Sequence, residues 1–164
     1  MASRRTFTAD ERGTWVPFAA LLELLPRQLD AQLLRDEGLT HFDYFTLSML
    51  SVSEHHTLRM TELASLTSAT LPRLSRVVTK LEERGLVRRE PCPGDRRATN
   101  AVITQDGRRK VLQATPGHVA NVRDHVLDAL DAEQQAQLRA ITEAVLARLD
   151  PEGRTMATHR DLPA

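Results

Sequence analysis

The sequence predicts a mainly α-helical fold with one small β-wing, and three observations predict it. Apolar residues recur at helical spacing through most of the 164 residues, with period-two alternation confined to one stretch after Gly85. Within residues 70–104, TLPRLSRVVTKLEERGLVRREPCPGDRRATNAVIT, a helix with one apolar and one basic face runs into Gly85 and then into a hairpin tipped by CPGDRR. The helical stretches on either side carry more apolar surface than so small a unit could cover. This is the layout of a winged helix-turn-helix whose long N- and C-terminal helices form a dimerisation arm. A helix sized for the DNA major groove, beside an arginine-tipped hairpin, makes a surface suited to reading DNA.

The pattern Trp15, Phe18, Ala19, Leu22, Leu25, Leu29 and Leu33, widened by Leu21, makes a long first helix from Gly13 to Gly38. Pro26 is expected to bend or divide it, because its ring displaces a backbone hydrogen bond. Thr40 with Asp43 three residues on opens a second helix through Phe42, Phe45, Leu47, Met49 and Leu50, with His55 and His56 in the polar turn behind it. A short helix over 61–66 is expected to start on Thr61 as its N-cap. Thr67, Ser68 and Ala69 turn the chain into a fourth helix, capped by Thr70 and tolerant of Pro72 in its first turn. There Leu74, Val77, Val78 and Leu81 line one face, so Pro72, Arg73, Ser75, Arg76, Thr79 and Lys80 face elsewhere.

Gly85 ends that helix. Leu86 to Arg88 and Thr99 to Thr104 are the expected strands, with Pro91, Pro93 and Gly94 as turn formers between them. Thr104 caps a fifth helix interrupted at Pro116 and Gly117, and Asp131 caps a last one carrying Leu138, Ile141, Val145, Leu146 and Leu149. Residues 1–12 read as a flexible tail and 13–150 as one domain, its DNA-facing lobe at about 40–104 and its dimerisation helices at about 13–37 and 104–150. Residues 151–164 read as a polar, frayed tail.

With 41% hydrophobic residues the chain can bury a core. Its single cysteine, Cys92, excludes an internal disulfide framework and points to a reducing compartment, and no apolar run approaches a membrane span. A cytoplasmic location is therefore expected. The formal net charge of zero hides a segregation: between Leu71 and Lys110 eleven basic residues face five acidic ones, so this segment carries +6 and the remainder −6. A basic module in an acidic remainder suits a protein that touches phosphate with one face. No nucleophile is paired with a base, no carboxylates pair in an apolar setting, and no phosphate loop occurs, so no enzyme activity and no cofactor are expected. His55 and His56 are adjacent, and His118 and His125 share a helix face, yet neither pair has partners at metal-binding spacing.

Over nearly its whole length the chain resembles the MarR family of bacterial transcription regulators. The resemblance is strongest in VVTKLEERGLVRR followed by PGDRRATNAVITQDGR, which gives LE-x-x-G-L-V, D-x-R, an alternating strand and T-x-x-G without gaps. It implies a dimer built by the first and last two helices, the helix over 71–84 in the major groove, and the wing in the neighbouring minor groove. It places Arg97 in the minor groove, with Asp95 holding it in position. A guanidinium suits the negative potential of a minor groove narrowed at A·T-rich steps.

For the major groove the candidates are Arg73, Ser75, Arg76 and Thr79, with Thr70 and the apolar Pro72 at the helix start; either arginine could read guanine O6 and N7. Lys80, Arg88 and Arg96 suit phosphates, which give affinity and salt dependence. The resemblance also implies a small aromatic or phenolic effector in a crevice lined by the first two helices and the fifth, to which Trp15, Phe18, His41, Tyr44 and Phe45 could contribute. Core or dimer contact is the other reading of Trp15 and Phe18.

The expected function is a homodimeric, sequence-specific regulator of transcription on a double-stranded DNA operator, a repressor released by a small-molecule effector, with no membrane partner. Two alternatives stand beside it. One is a winged-helix adaptor that contacts protein and not DNA. The other is a redox- or metal-responsive regulator, with Cys92 in the wing or the histidines as sensors, against which Cys92 reads as a plain hairpin residue.

Overall fold

The computed structural model describes residues 6–158. Helix α1 (Ala9–Glu37) opens on a capping box made by Thr8 and Glu11 and stops at Gly38, whose left-handed φ of 64° lets its amide reach back to the Leu33 and Leu34 carbonyls. Residues 9–12 are thus helix, where the sequence reads a flexible tail. Pro26 does not divide the helix either. Both Pro17 and Pro26 lie exposed, so the carbonyl each leaves unbonded can take water instead.

Helix α2 (His41–Val52) starts on the expected Thr40–Asp43 capping box. A tight turn follows, with His55 and His56 at positive φ. It leads into β1 (Thr57–Arg59), a strand the sequence reading misses. Helix α3 (Met60–Leu66) leaves this strand directly, with Arg59 as N-cap and Thr61 inside the helix, not capping it. Pairing of residues 57–59 with the wing sets the helix start, and this overrides the local capping preference of a threonine.

Helix α4 (Leu71–Glu83) is capped by the Thr70 side chain, with Pro72 in its first turn. The wing is β2 (Val87–Cys92) and β3 (Asp95–Ile103), and the three strands form one antiparallel sheet in the order β1-β3-β2. The hairpin is longer than expected because Pro91 lies within β2, opposite Thr99. An edge strand tolerates proline, since its missing N–H can face away from the ladder.

Helix α5 (Gln105–Val122) runs unbroken through Pro116, which is exposed, and through Gly117, then loosens into a π-helical turn at Arg123–Leu127. Gly117 faces α1 closely: a Cβ there would lie 3.0 Å from the Gln32 side-chain amide, which would have to shift slightly. Helix α6 (Ala132–Leu149) begins on an Asp131–Gln134 capping box.

The T-x-x-G motif has a clear physical role. Thr104 accepts from the Gly107 amide and donates to the Gly85 carbonyl at 2.7 Å, pinning the start of α5 to the end of α4. Any side chain on Gly107 would collide with the Leu86 carbonyl, so only glycine lets α5 cross there.

Leu33, Leu47, Leu50, Leu63, Leu74 and Leu81 are fully buried and knit α1, α2, α3 and α4 into one core. By contrast α6 buries none of its 18 residues. The chain after it does not fray within the described residues. The Asp150 carboxylate accepts from the Thr158 hydroxyl and the Thr155 and Arg154 amides, which hold its pKa well below the usual carboxylate range, and the Met156 amide donates to Leu66 at the end of α3 (3.1 Å). No helix among the described residues is long and apolar enough to cross a membrane.

Candidate nucleic-acid interface

Helix α4 separates two jobs by its geometry. Leu74, Val78 and Leu81 are buried and Val77 packs beside them, while Pro72, Arg73, Arg76, Thr79 and Lys80 are exposed and Ser75 is half-buried. Pro72, Ser75, Arg76, Thr79 and Lys80 line one open groove of about 610 Å³. Arg73 is absent from it. Its guanidinium lies 4.3 Å over the Phe42 ring of α2, a cation–π contact that draws it off the groove. Arg76 has no such partner among the described residues. Thr70 is engaged as the helix cap.

The wing sits against this helix through Arg89. Its Nη1 donates to Glu82 Oε2 (2.7 Å), its backbone amide donates to the other Glu82 oxygen (3.0 Å), and its Nη2 reaches the Ser75 carbonyl (2.8 Å) and the Thr79 hydroxyl (3.0 Å). At the tip, Asp95 Oδ1 accepts from the backbone amide of Arg97 (3.0 Å). The aspartate therefore holds the Arg97 main chain and leaves the exposed guanidinium to project. Arg97 and Arg59, with Ser75, Arg89 and Thr99, edge a crevice of about 250 Å³ between the wing and the start of α3. Arg88 is instead paired with Glu90 on its own strand. The side chain of Arg96 lies outside those described. Cys92 is a buried free thiol whose Sγ lies 3.7 Å from the Pro93 carbonyl.

A family model, the MarR family, matches residues 39–99, the stretch from the end of α1 to the wing. The solved structure of Sco3205 from Streptomyces coelicolor, a MarR family transcriptional regulator in complex with DNA, is 40% identical over 99% of this chain and 98% of that one, with a TM-score of 0.87. The chain belongs to the MarR family. A second Streptomyces coelicolor MarR family regulator, AbsC, is 36% identical, with a TM-score of 0.84 over 90% of this chain and 99% of that one. The HTH-type transcriptional regulator PecS of Dickeya dadantii is 37% identical over 62 residues, which span 38% of this chain and 37% of PecS's own length. This MarR family protein is accordingly a DNA-binding transcription regulator and not an enzyme.

The residues expected to line an effector crevice in this MarR family protein divide into two groups. His41 stacks on Phe45 (6.4 Å between centroids) and on His118 of α5 (5.6 Å), and Tyr44 meets His118 at 4.7 Å. The Tyr44 hydroxyl bonds Thr115 at 3.0 Å, while Asp30 of α1 accepts from the His41 amide at 2.6 Å. Burial pushes the His41 pKa down against the pull of Asp30. Burial, followed by the nearby His41, does the same to His118. Among the described residues, the His118 Nδ1 and the Gln32 Oε1 atoms are buried without a hydrogen-bond partner. Trp15 and Phe18 are not in this cluster; Trp15 stacks on Phe7 and meets Phe18 at a tilt near the start of α1, and both Trp15 and Phe18 are exposed.

Sequence reasoning passed over Phe42, Arg59 and Arg89. A signal existed for Arg89. Val87 points inward on β2, so period two sends Arg89 to the same side, where a half-buried guanidinium must find acceptors.

Proposed function

We propose that this protein is a homodimeric repressor that reads a pseudo-palindromic operator with α4 in the major groove and Arg97 in the minor groove, and that a small aromatic or phenolic effector releases it. The exposed Arg97, with its backbone held by Asp95 beside the polar face of α4, carries the reading. Arg76 is the better base reader of the two arginines, because Arg73 is spent on Phe42. Ser75, Thr79 and Pro72 share the groove with it, Lys80 takes phosphate, and Arg59 adds a second cation across the crevice from Arg97. Arg88 contributes to phosphate binding only by leaving Glu90.

The dimer is supported by apolar surface that one chain leaves open on α1, α5 and α6, with Leu22, Leu24, Leu112, Ile141 and Leu149 all exposed. Two recognition helices about 34 to 36 Å apart would match one turn of DNA. An effector seated among His41, Tyr44, Phe45 and His118 would lie where α1, α2 and α5 meet, and it would act only by binding one spacing of the dimer better than the other.

The test is a mobility shift on DNA from beside the gene, repeated across salt concentrations. Arg97→Ala should weaken binding about tenfold or more with an unchanged melting temperature, and Arg76→Ala should flatten sequence preference by roughly 1 to 3 kcal/mol at one base pair. Absence of any shift at low salt favours the adaptor reading and ends this one.

A further inference from the structure

The hydroxyl of Thr79 is already committed within the protein. A threonine hydroxyl has one proton and two lone pairs. Its proton goes to the Ser75 carbonyl at 3.0 Å, and one lone pair receives Arg89 Nη2 at 3.0 Å. What remains toward solvent is a single acceptor and a methyl group. Ser75 differs. Arg89 Nη2 has two protons, which the nearer Ser75 carbonyl (2.8 Å) and the Thr79 hydroxyl take, leaving the Ser75 hydroxyl a longer shared contact of 3.3 Å and its own proton free to donate. The arrangement is held from behind, because Glu82 grips both the guanidinium and the backbone amide of Arg89.

We propose that Arg89, without touching DNA, fixes the hydrogen-bonding polarity of the reading face, so that Thr79 selects a base edge offering an exocyclic amine or a thymine methyl and rejects guanine. In the major groove adenine N6 and cytosine N4 donate, thymine offers its methyl, and guanine presents only acceptors at N7 and O6. Guanine beneath Thr79 would set acceptor against acceptor for as long as the hydroxyl proton stays on the Ser75 carbonyl. Arg89 is thus a positioning residue, and Thr79 the determinant it positions. The inference rests on the proposed placement of α4 in the major groove.

The experiment selects bound duplexes from a pool randomised over about two DNA turns, using the full-length wild type, Thr79→Val and Arg89→Lys. Valine keeps the branched shape without the oxygen. Lysine can keep the charge beside Glu82 but cannot fork to Ser75 and Thr79 together. The wild type should deplete guanine roughly tenfold at one position per half-site. Thr79→Val should relax that position alone, and Arg89→Lys should relax the same position while the others keep their preferences.

Should Arg89→Lys fold poorly, Thr79→Val still decides, since it alters an exposed side chain. Selection by the wild type with guanine accepted at every position, a Thr79→Val profile identical to wild type, or a uniform affinity loss in Arg89→Lys with its base preferences intact overturns the inference alone. A wild type that selects no sequence overturns the proposed operator reading as well.

Discussion

The winged lobe and the helical arm are both rich in leucine and valine, yet they handle it in opposite ways. In the lobe, Leu47, Leu63, Leu74 and Leu81 are fully buried by residues of the same chain. In the arm, Leu22, Leu112, Ile141 and Leu149 stay exposed, and α6 packs no residue away. The lobe is a finished object in one chain, whereas the arm leaves open the apolar surface that the proposed dimer would cover. Stability of the lobe should therefore be a property of the chain, whereas stability of the arm should depend on protein concentration.

The largest expected effect separates these two regions. Leu74→Ala should cost about 2 to 5 kcal/mol in denaturant unfolding at any concentration, because it removes packed methyl groups and leaves a cavity. Ile141→Asp, on a side chain 59% exposed in the single chain, should leave the lobe intact and abolish self-association in sedimentation. An Ile141→Asp protein that sediments like wild type at every concentration would break the comparison, since the exposed face of α6 would then need no partner.

The same contrast explains what could be read from sequence. Helix α4 was legible because Thr70, Leu74, Val78 and Leu81 obey local rules of capping and spacing that hold before any tertiary contact forms. The T-x-x-G turn was legible as a pattern, but its cause, the passage of Gly107 over the Leu86 carbonyl, depends on the finished fold. Strand β1 escaped because three residues cannot display alternation, and their pairing partners, Asn100 to Val102, lie far along the chain. In the candidate site, Arg76 and Arg97 were visible as exposed basic residues. The capture of Arg73 by Phe42 and of Thr79 by Arg89 was not, since both follow from how α2 and β2 pack on α4. In the arm, spacing marked Trp15 and Phe18 as apolar but carried no information on which surface would meet them.

A second, smaller effect lies within the arm, where α1 and α5 meet beside the lobe. Lys110 of α5 and Glu37 of α1 form a 2.6 Å pair whose side chains are only 22% and 19% exposed. Arg109 and Asp106, one residue earlier on α5, pair at 66% and 63% exposure. Lys110→Met should cost about 1 to 3 kcal/mol, since it strands a half-buried carboxylate, whereas Arg109→Ala should cost well under about 1 kcal/mol. Equal losses in the two variants would mean that the junction is no drier than the outer surface of α5.

The smallest effect concerns protons where α2 of the lobe meets α5 of the arm. Burial holds His41 and His118 below the ordinary histidine value of 6.5, so in the folded protein both stay neutral at a pH where the unfolded chain already takes up protons. Between 6.5 and the lowered folded values the unfolded state binds more protons, so stability rises with pH and is lost on acidification through that window. Asp30 on α1 works against the shift at His41, while His41 and His118 disfavour each other's charge; the Tyr44 hydroxyl and the Gln32–Asp36 pair are the other polar groups nearby. Melting measured from neutral pH downward should therefore show a decline beginning near 6.5 that His118→Gln reduces. The solvent-exposed His125→Gln control should follow the wild-type curve, decline included. A wild-type melting temperature that is flat through the window would show that water reaches these imidazoles, and that the contact between lobe and arm is wetter than its packing implies.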